Sequence, residues 1–219
     1  MCSSDLENRY RFHNHLKLAH YANAACDIEF EFPFGFKELE GIHSRTDFDL
    51  KNHEEFSGKK LRFFDPETKE SYIPYVVETS VGLDRLFLAT LATALKTEKI
   101  EDGSERTVLN LPHALAPVKV AVLPLVNKDG LPELAQKIVD ELKFDYQVQC
   151  EEKDTIGKRY RRQDAIGTPL CITIDHQAIE DGTVTIRERD SMTQERVPLN
   201  AIKKIVDERV SLSSLLKKL

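Results

Sequence analysis

Tryptophan is absent from this 219-residue sequence, methionine occurs twice, and cysteine appears only as Cys2, Cys26, Cys150 and Cys171. No CxxC pair exists among them, which argues against a zinc ribbon. Four scattered thiols in a chain this long do not make a disulfide framework either, so reduced cysteines and a cytoplasmic location are expected. Glycine and proline number nine each, too few for a collagen-like or low-complexity chain. No apolar run approaches the roughly 18 residues that span a bilayer. Excess positive charge is lacking too: the net charge is -6 and the pI about 5.7. That speaks against coating nucleic acid through bulk charge while leaving room for a local basic patch. Neither a membrane nor DNA is expected as a partner. What remains is a composition 41% hydrophobic and 31% charged, that of a water-soluble globular chain with one large domain or two of about 100 residues each.

The charge is unevenly spread. Residues 115–219 hold 17 of the 31 basic and 17 of the 37 acidic side chains, so residues 1–114 keep 14 and 20. Between the halves runs Lys96 to Arg106, polar and without period, followed by Leu111-Pro112-His113 and Ala116-Pro117. A linker is expected there, with domains over 1–114 and 115–219. Residues 1–6 carry neither the apolar stretch of a signal peptide nor the pattern of a transit peptide. Their Cys-Ser-Ser-Asp-Leu string is what one frame of a common sequencing-adapter end encodes, so they are expected to be non-native. In the first half, Asp27–Phe32 alternates as a half-buried strand ended by Pro33 and Gly35, and Tyr75–Ser80 reads as another strand. After Gly82, the apolar positions Leu83, Leu86, Phe87, Thr90, Leu91, Ala94 and Leu95 repeat at helical spacing. In the second half the pattern predicts strands at 118–126 and 170–175, helices at 131–142 and 199–210, and a hairpin of 183–189 with 195–197. The sum is a small mixed α/β sheet.

The strand–glycine–helix junction at Gly82 invites a phosphate loop, but GxxxxGK is missing, and Ser57-Gly58-Lys59-Lys60 lacks the upstream glycine and strand. Residues two apart on a strand share a side, so Glu78 and Ser80 present a carboxylate and a hydroxyl together, a pair suited to an ammonium group. Arg85 falls in the first helical turn, where a cation opposes the helix dipole and wants an anionic or π-rich partner. A surface arginine beside a strand end is the plainer alternative. The segment Phe34–Leu50 is dense in acids around two glycines and Arg45, a set that permits metal, amine or carboxylate binding without dictating one. Lys158, Arg159, Arg161 and Arg162 place four cations around Tyr160. They suit phosphates and a stacked base, or form a solvated charge run answered by Glu151, Glu152, Asp154 and Asp164. Arg187 and Arg189 alternate on a predicted strand and extend the same surface. His13 and His15 lie two apart on a predicted helix, hence on different faces, while His20, His43, His53, His113 and His176 have no ligand spacing. No metal site is expected. Cys150 and Cys171, set among apolar residues, read as core thiols.

Taken in order, Lys17–Ala22, Pro33-Phe34-Gly35, Glu38–Ile42, Arg45–Leu50 and Pro74–Ser80 resemble glycyl-tRNA synthetase. Gly82-Leu83-Asp84-Arg85 looks like the third signature motif of class II aminoacyl-tRNA synthetases, and Glu78-x-Ser80 is similar to the glycine-selecting pair of the homodimeric type. Ala116–Val120, Ile156–Arg162, Ile166–Pro169 and Thr183–Arg187 look like the anticodon-binding domain of that family. The resemblance covers residues 7–219. It implies the C-terminal portion of an antiparallel class II catalytic domain followed by an anticodon-binding α/β domain with a mixed sheet.

The resemblance also implies roles. Glu78 would accept from the glycine ammonium with support from Ser80, and Arg45 would wall a pocket too small for a larger side chain; Thr79, Val81 and Gly82 complete the glycine set. Arg85 would stack on adenine; Glu38, Leu39, Gly82, Leu83 and Asp84 would line the ATP site, with Glu38 near a magnesium ion. Lys158, Arg159, Tyr160, Arg161, Arg162 and Arg187 would contact tRNA. The implied reaction is ATP-dependent glycine–tRNA ligation, in an enzyme that is a homodimer when full-length. The first two class II motifs, with the arginine that clamps the α-phosphate, are absent from this sequence, so no catalytic residue is assigned and the chain alone is expected to be inactive. The rival readings are a non-catalytic, synthetase-like RNA-binding paralogue, and a related threonine, proline or histidine enzyme. Retention of Glu78, Ser80, Arg45 and Arg85 argues against the first, and Glu78-Thr79-Ser80 with Arg45–Leu50 against the second.

Overall fold

The computed structural model describes residues 9–100 and 103–217. The first six residues, expected to be non-native, and Cys2 lie outside the described residues. The chain forms two compact units, residues 1–92 and 93–219. This division falls in the last turn of a helix rather than near residue 114, because the polar stretch expected to be a linker folds as a hairpin with the second unit.

In the first unit, β1 (Tyr10–Asn14), β2 (Ala24–Phe32), β3 (Gly35–Ser44) and β6 (Val77–Val81) make a four-stranded antiparallel sheet in the order β1-β2-β3-β6. The turn from β2 to β3 needs a left-handed residue, supplied by Gly35 at φ +97°. The β2–β3 register slips between Ile28, opposite Glu40, and Glu29, opposite Glu38, which leaves Leu39 as the extra residue of a bulge. Leu39 is buried with Phe30, Phe32 and Ala89, and Leu88 packs against them. Helix α2 (Leu83–Ala94) covers this sheet through Leu88 and Ala89, off the stripe that the helical spacing marked, whose Leu83, Leu86 and Phe87 are exposed. A shorter helix, α1 (Phe48–Ser57), buries no residue, and β4 (Phe63–Phe64) pairs with β5 (Ser71–Tyr72) as an exposed two-stranded ribbon. The predicted helix around His13 and His15 is instead β1 and its continuation. Being two apart in extended chain puts their rings on one side, stacked at 5.1 Å, with His15 Nε2 2.8 Å from Asp27.

The second unit opens with the hairpin β7 (Leu95–Lys99) and β8 (Glu105–Leu109). A single 3₁₀ turn at His113–Leu115 leads to a five-stranded sheet. Its order is β10-β9-β11-β12-β13, from β9 (Val120–Pro124), β10 (Val148–Cys150), β11 (Leu170–Ile174), β12 (Thr183–Glu188) and β13 (Gln194–Pro198). The first two pairings are parallel and the last two antiparallel, the mixed sheet expected. Parallel neighbours need crossovers, provided by α3 (Leu131–Leu142) and α4 (Ile156–Ile166). Strand alternation sorts the core. Val120, Val122, Leu170, Ile172 and Ile174 face α3 and α6 (Ile202–Val210), while Ala121, Leu123 and Cys171 face Ile156 and Tyr160 of α4. On α3 the buried positions Leu131, Ala135, Ile138 and Leu142 follow the predicted stripe. Two short helices, α5 (Gln177–Asp181) and α7 (Leu212–Leu216), complete the unit. Cys171 is buried, which pushes its thiol up to about 12. Cys150, expected in the core, is exposed at the end of the short strand β10.

One buried carboxylate ties the hairpin to the sheet. Asp164, fully buried, accepts a fork from Arg187 at 2.8 and 3.0 Å and a third bond from Arg106 of β8 at 3.1 Å. Gly167, left-handed at φ +85°, passes so near β8 that an added Cβ would meet the Leu109 carbonyl oxygen at 2.8 Å. Removing the charge of Asp164 strands the buried Arg187, while Arg106 keeps Glu98 at 2.7 Å. Asp164→Asn is therefore expected to destabilise the second unit by about 3–5 kcal/mol, read from the midpoint of urea unfolding.

Candidate functional site: a strand–helix cleft and an anticodon-binding unit

In the first unit the backbone crosses from β3 to α1 through Thr46, a non-glycine residue at φ +55°, and the ladder to β6 continues by Arg45 N–H to the Val76 carbonyl at 2.8 Å. This places Arg45 at the junction of β3, β6 and α1. Its guanidinium donates to Asp49 through Nε at 2.6 Å and Nη2 at 3.1 Å, and to Glu78 through Nη1 at 2.6 Å. Its face lies 4.2 Å over the Tyr21 ring. Tyr21 in turn packs with His20 and Phe48. The hydrogen bonds to Asp49 and then Glu78 raise the Arg45 pKa, and the Asp49 carboxyl is held below its ordinary range by the bond from Arg45. Glu78 uses one oxygen for Arg45, and a carboxylate has sites for further donors.

At the junction of β6 and α2 opens a cleft of about 670 Å³ lined by Glu38, Leu39, Ser80, Val81, Gly82, Leu83, Asp84 and Arg85. All six residues expected on the ATP side are brought together there, with Ser80 and Val81 of the glycine set. Glu78, Thr79 and Arg45 lie outside this lining. A closed pocket sized for a hydrogen side chain is not formed; the cleft is broad and open. Arg85 donates to the Glu38 carbonyl oxygen and sits 3.7 Å from the Glu38 carboxylate, so it is fastened at one edge and about half exposed. Among the described residues that line the cleft, Arg85 is the one cation.

The basic run on α4 divides by helical face. Arg159 is buried and donates to three carbonyl oxygens at the ends of β9 and β10: Pro124 at 2.7 Å, Glu151 at 2.9 Å and Leu125 at 3.3 Å. Desolvation lowers its pKa. Tyr160 is partly buried, its hydroxyl 2.6 Å from that of Thr173 and its ring beneath Arg187 at 4.7 Å. Arg187 and Arg189 are buried; the first binds Asp164, and the second donates to Leu109, Gly167 and Leu111 carbonyls. These four side chains, expected at a tRNA surface, are instead internal fasteners. Lys158 and Arg162 are exposed, Arg161 is partly so, and Arg162 pairs with Glu151 and Asp154 at 2.8 Å each. The pattern Ile156, Arg159, Tyr160, Gln163 at i, i+3, i+4, i+7 carries the signal: Arg159 is in step with the inward stripe. Missed altogether is an open cleft of about 540 Å³ at the carboxyl ends of β9 and β10, lined by Asn127, Cys150, Glu151, Glu152, Lys153, Asp154 and Arg162.

Residues 119–209 match the family described as anticodon binding domain. A likeness in fold extends over 90% of the chain to the RNA binding domain of threonyl-tRNA synthetase from Cryptosporidium parvum, at TM-score 0.63, 20% identity and 46% of that chain. The second unit is thus an α/β domain of the anticodon-binding class. Glycine–tRNA ligase of Borrelia hermsii is 53% identical over 88% of this chain, that of Chlorobaculum tepidum 52% over 89%, and that of Geobacillus thermodenitrificans 50% over 93%. The chain belongs to the glycyl-tRNA synthetase family and corresponds to its C-terminal part. It spans less than half the length of these relatives, 44%, 41% and 43% respectively.

The two faces of α4 make opposite predictions. Arg159→Ala leaves three strand-end carbonyls unsatisfied and is expected to cost about 3 kcal/mol in urea unfolding. Arg161→Ala is expected to stay within about 0.5 kcal/mol in the same measurement.

Proposed function

We propose that this chain supplies the glycine- and ATP-facing side of a glycine–tRNA ligase together with its tRNA-reading unit. The observation that carries the reading is the juxtaposition of the Arg45–Glu78 pair, 2.6 Å apart, with a cleft holding Glu38, Ser80 and Arg85. In the reaction, a glycine carboxylate oxygen attacks the α-phosphate of ATP, giving glycyl-adenylate and pyrophosphate. The terminal ribose hydroxyl of tRNA then takes the acyl group and releases AMP. Glu78, pinned at one oxygen by Arg45, receives the glycine ammonium on the other, and Ser80, two positions on, adds a hydroxyl. Arg85 offers its exposed guanidinium face to adenine by cation–π stacking. Glu38 fits a magnesium site, since its carboxylate is half exposed at the cleft and Mg²⁺ takes one or two carboxylates besides water and substrate phosphates. When bound, the ion neutralises phosphate charge.

The lining has no second cation to hold the α-phosphate, so ATP–pyrophosphate exchange by the chain alone is expected to be unmeasurable. The tRNA-facing surface consists of Lys158, Arg161, Arg162 and the Asn127–Asp154 cleft, whose mixed donors and acceptors suit the edges of unpaired bases. Free thiols accord with a cytoplasmic enzyme, and the full-length protein would act as a homodimer. A non-hydrolysable glycyl-adenylate analogue, titrated calorimetrically, tests the site. Weak binding is expected, lost by about 10–100-fold in Glu78→Ala, the worth of a charged hydrogen bond. Tight tRNA binding without any analogue binding would favour a non-catalytic RNA-binding paralogue.

A further inference from the structure

Far along the sequence from one another, His113, Glu188 and Asp190 bring one imidazole and two carboxylates to a single point of the second unit, with ligand atoms all within 4.8 Å of one another. His113 stands in the 3₁₀ turn before β9; Glu188 ends β12, and Asp190 lies in the turn to β13. His113 Nδ1 is 3.3 Å from the Arg209 carbonyl oxygen, an acceptor only, so the ring proton belongs on Nδ1. The other nitrogen, Nε2, then faces two acceptors, Asp190 at 3.2 Å and Glu188 at 3.7 Å. That edge requires a positive occupant. A proton on Nε2 can serve one carboxylate; an ion seated among the three serves all of them.

We propose that His113, Glu188 and Asp190 form a binding site for a divalent transition-metal ion of the zinc type. The donor set is the borderline one, imidazole nitrogen with carboxylate oxygens, that zinc accepts. Outer contacts of the kind that orient metal ligands are in place. The Arg209 carbonyl fixes the His113 tautomer, Arg189 holds both Asp190 oxygens, Oδ1 through Nε at 2.6 Å and Oδ2 through Nη2 at 3.1 Å, and Ser191 donates to Glu188. With Arg189 counted, the three ligands carry one net negative charge, which a divalent ion reverses without an excess of like charge. An open cavity of about 310 Å³ with His113, Glu188 and Asp190 in its walls gives entry and room for water as the remaining ligand. Arg209, which also borders this cavity, pairs its guanidinium with Glu195. The ion would staple the turn before β9 to the β12–β13 hairpin.

The test uses the 219-residue chain freed of metal by a chelator. Calorimetric titration with Zn²⁺ at neutral pH is expected to give one saturable site, accompanied by a rise in the unfolding temperature. His113→Gln and Glu188→Gln should each weaken that site by more than about tenfold, whereas His15→Ala, which alters the separate His13–His15 pair, should leave it unchanged. Co²⁺ as a probe should give a visible absorption band that the same two variants lose, which reads the site independently of stability. Absence of saturable uptake, or equal uptake by wild type and both glutamine variants, would overturn the proposal.

Discussion

A guanidinium group is a planar fork with two edges and a face, and in Arg45 all are used: Asp49 takes one edge, Glu78 the end of the other, and Tyr21 the face. No lysine can do this, since an ammonium is a point charge on a flexible stem. Through that one group the first turn of α1, the strand β6 and the aromatic cluster of His20, Tyr21 and Phe48 are set relative to each other. The position of Glu78 follows, two residues along β6 from the Ser80 that lines the cleft. Two carboxylates around one cation leave the knot with a net negative charge.

The second unit uses arginine differently. Arg106, Arg159, Arg187 and Arg189 are all buried, and three of them end on backbone carbonyl oxygens at strand and helix termini. Such termini leave acceptors that water cannot reach, and a five-donor side chain satisfies several at once. The acidic Asp164 sits at the centre because two of those guanidinium groups need a counter-charge in a region closed to solvent. What reads as a basic RNA-facing surface is largely the internal framework that holds hairpin, helix and sheet together, while the solvent face keeps Lys158, Arg161 and Arg162.

Periodicity made much of this legible. Helix α3 is found over the expected residues, the buried strands β9 and β11 lie inside theirs, and the strand–Gly82–helix junction is where the glycine and the apolar repeat put it. These elements have one apolar face or two, and the pattern records that directly. The β7–β8 hairpin was hidden because one of the two inward residues of β8 is Arg106, which leaves Val108 too isolated to read as an apolar face. The segment around His13 misled because short polar strands at a sheet edge lack an apolar stripe. In the site, the ordered strings from Glu38 to Arg85 supply all eight residues that line the cleft. The separation of Arg45–Glu78 from that cleft, and the cleft's breadth, were not visible, since both depend on how β6 meets β3. Nor could spacing reveal His113 with Glu188 and Asp190, which meet only through tertiary folding.

The claim on which the functional account turns is that the fork of Arg45, and not merely its charge, sets Glu78 for an ammonium group. Arg45→Lys keeps the charge and removes the fork. Calorimetric affinity of this variant for the glycyl-adenylate analogue, with circular dichroism as a check on folding, measures the difference. The account predicts a loss of about tenfold or more, the equivalent of 1.4 kcal/mol, with folding intact. Affinity equal to that of the unaltered chain would contradict it.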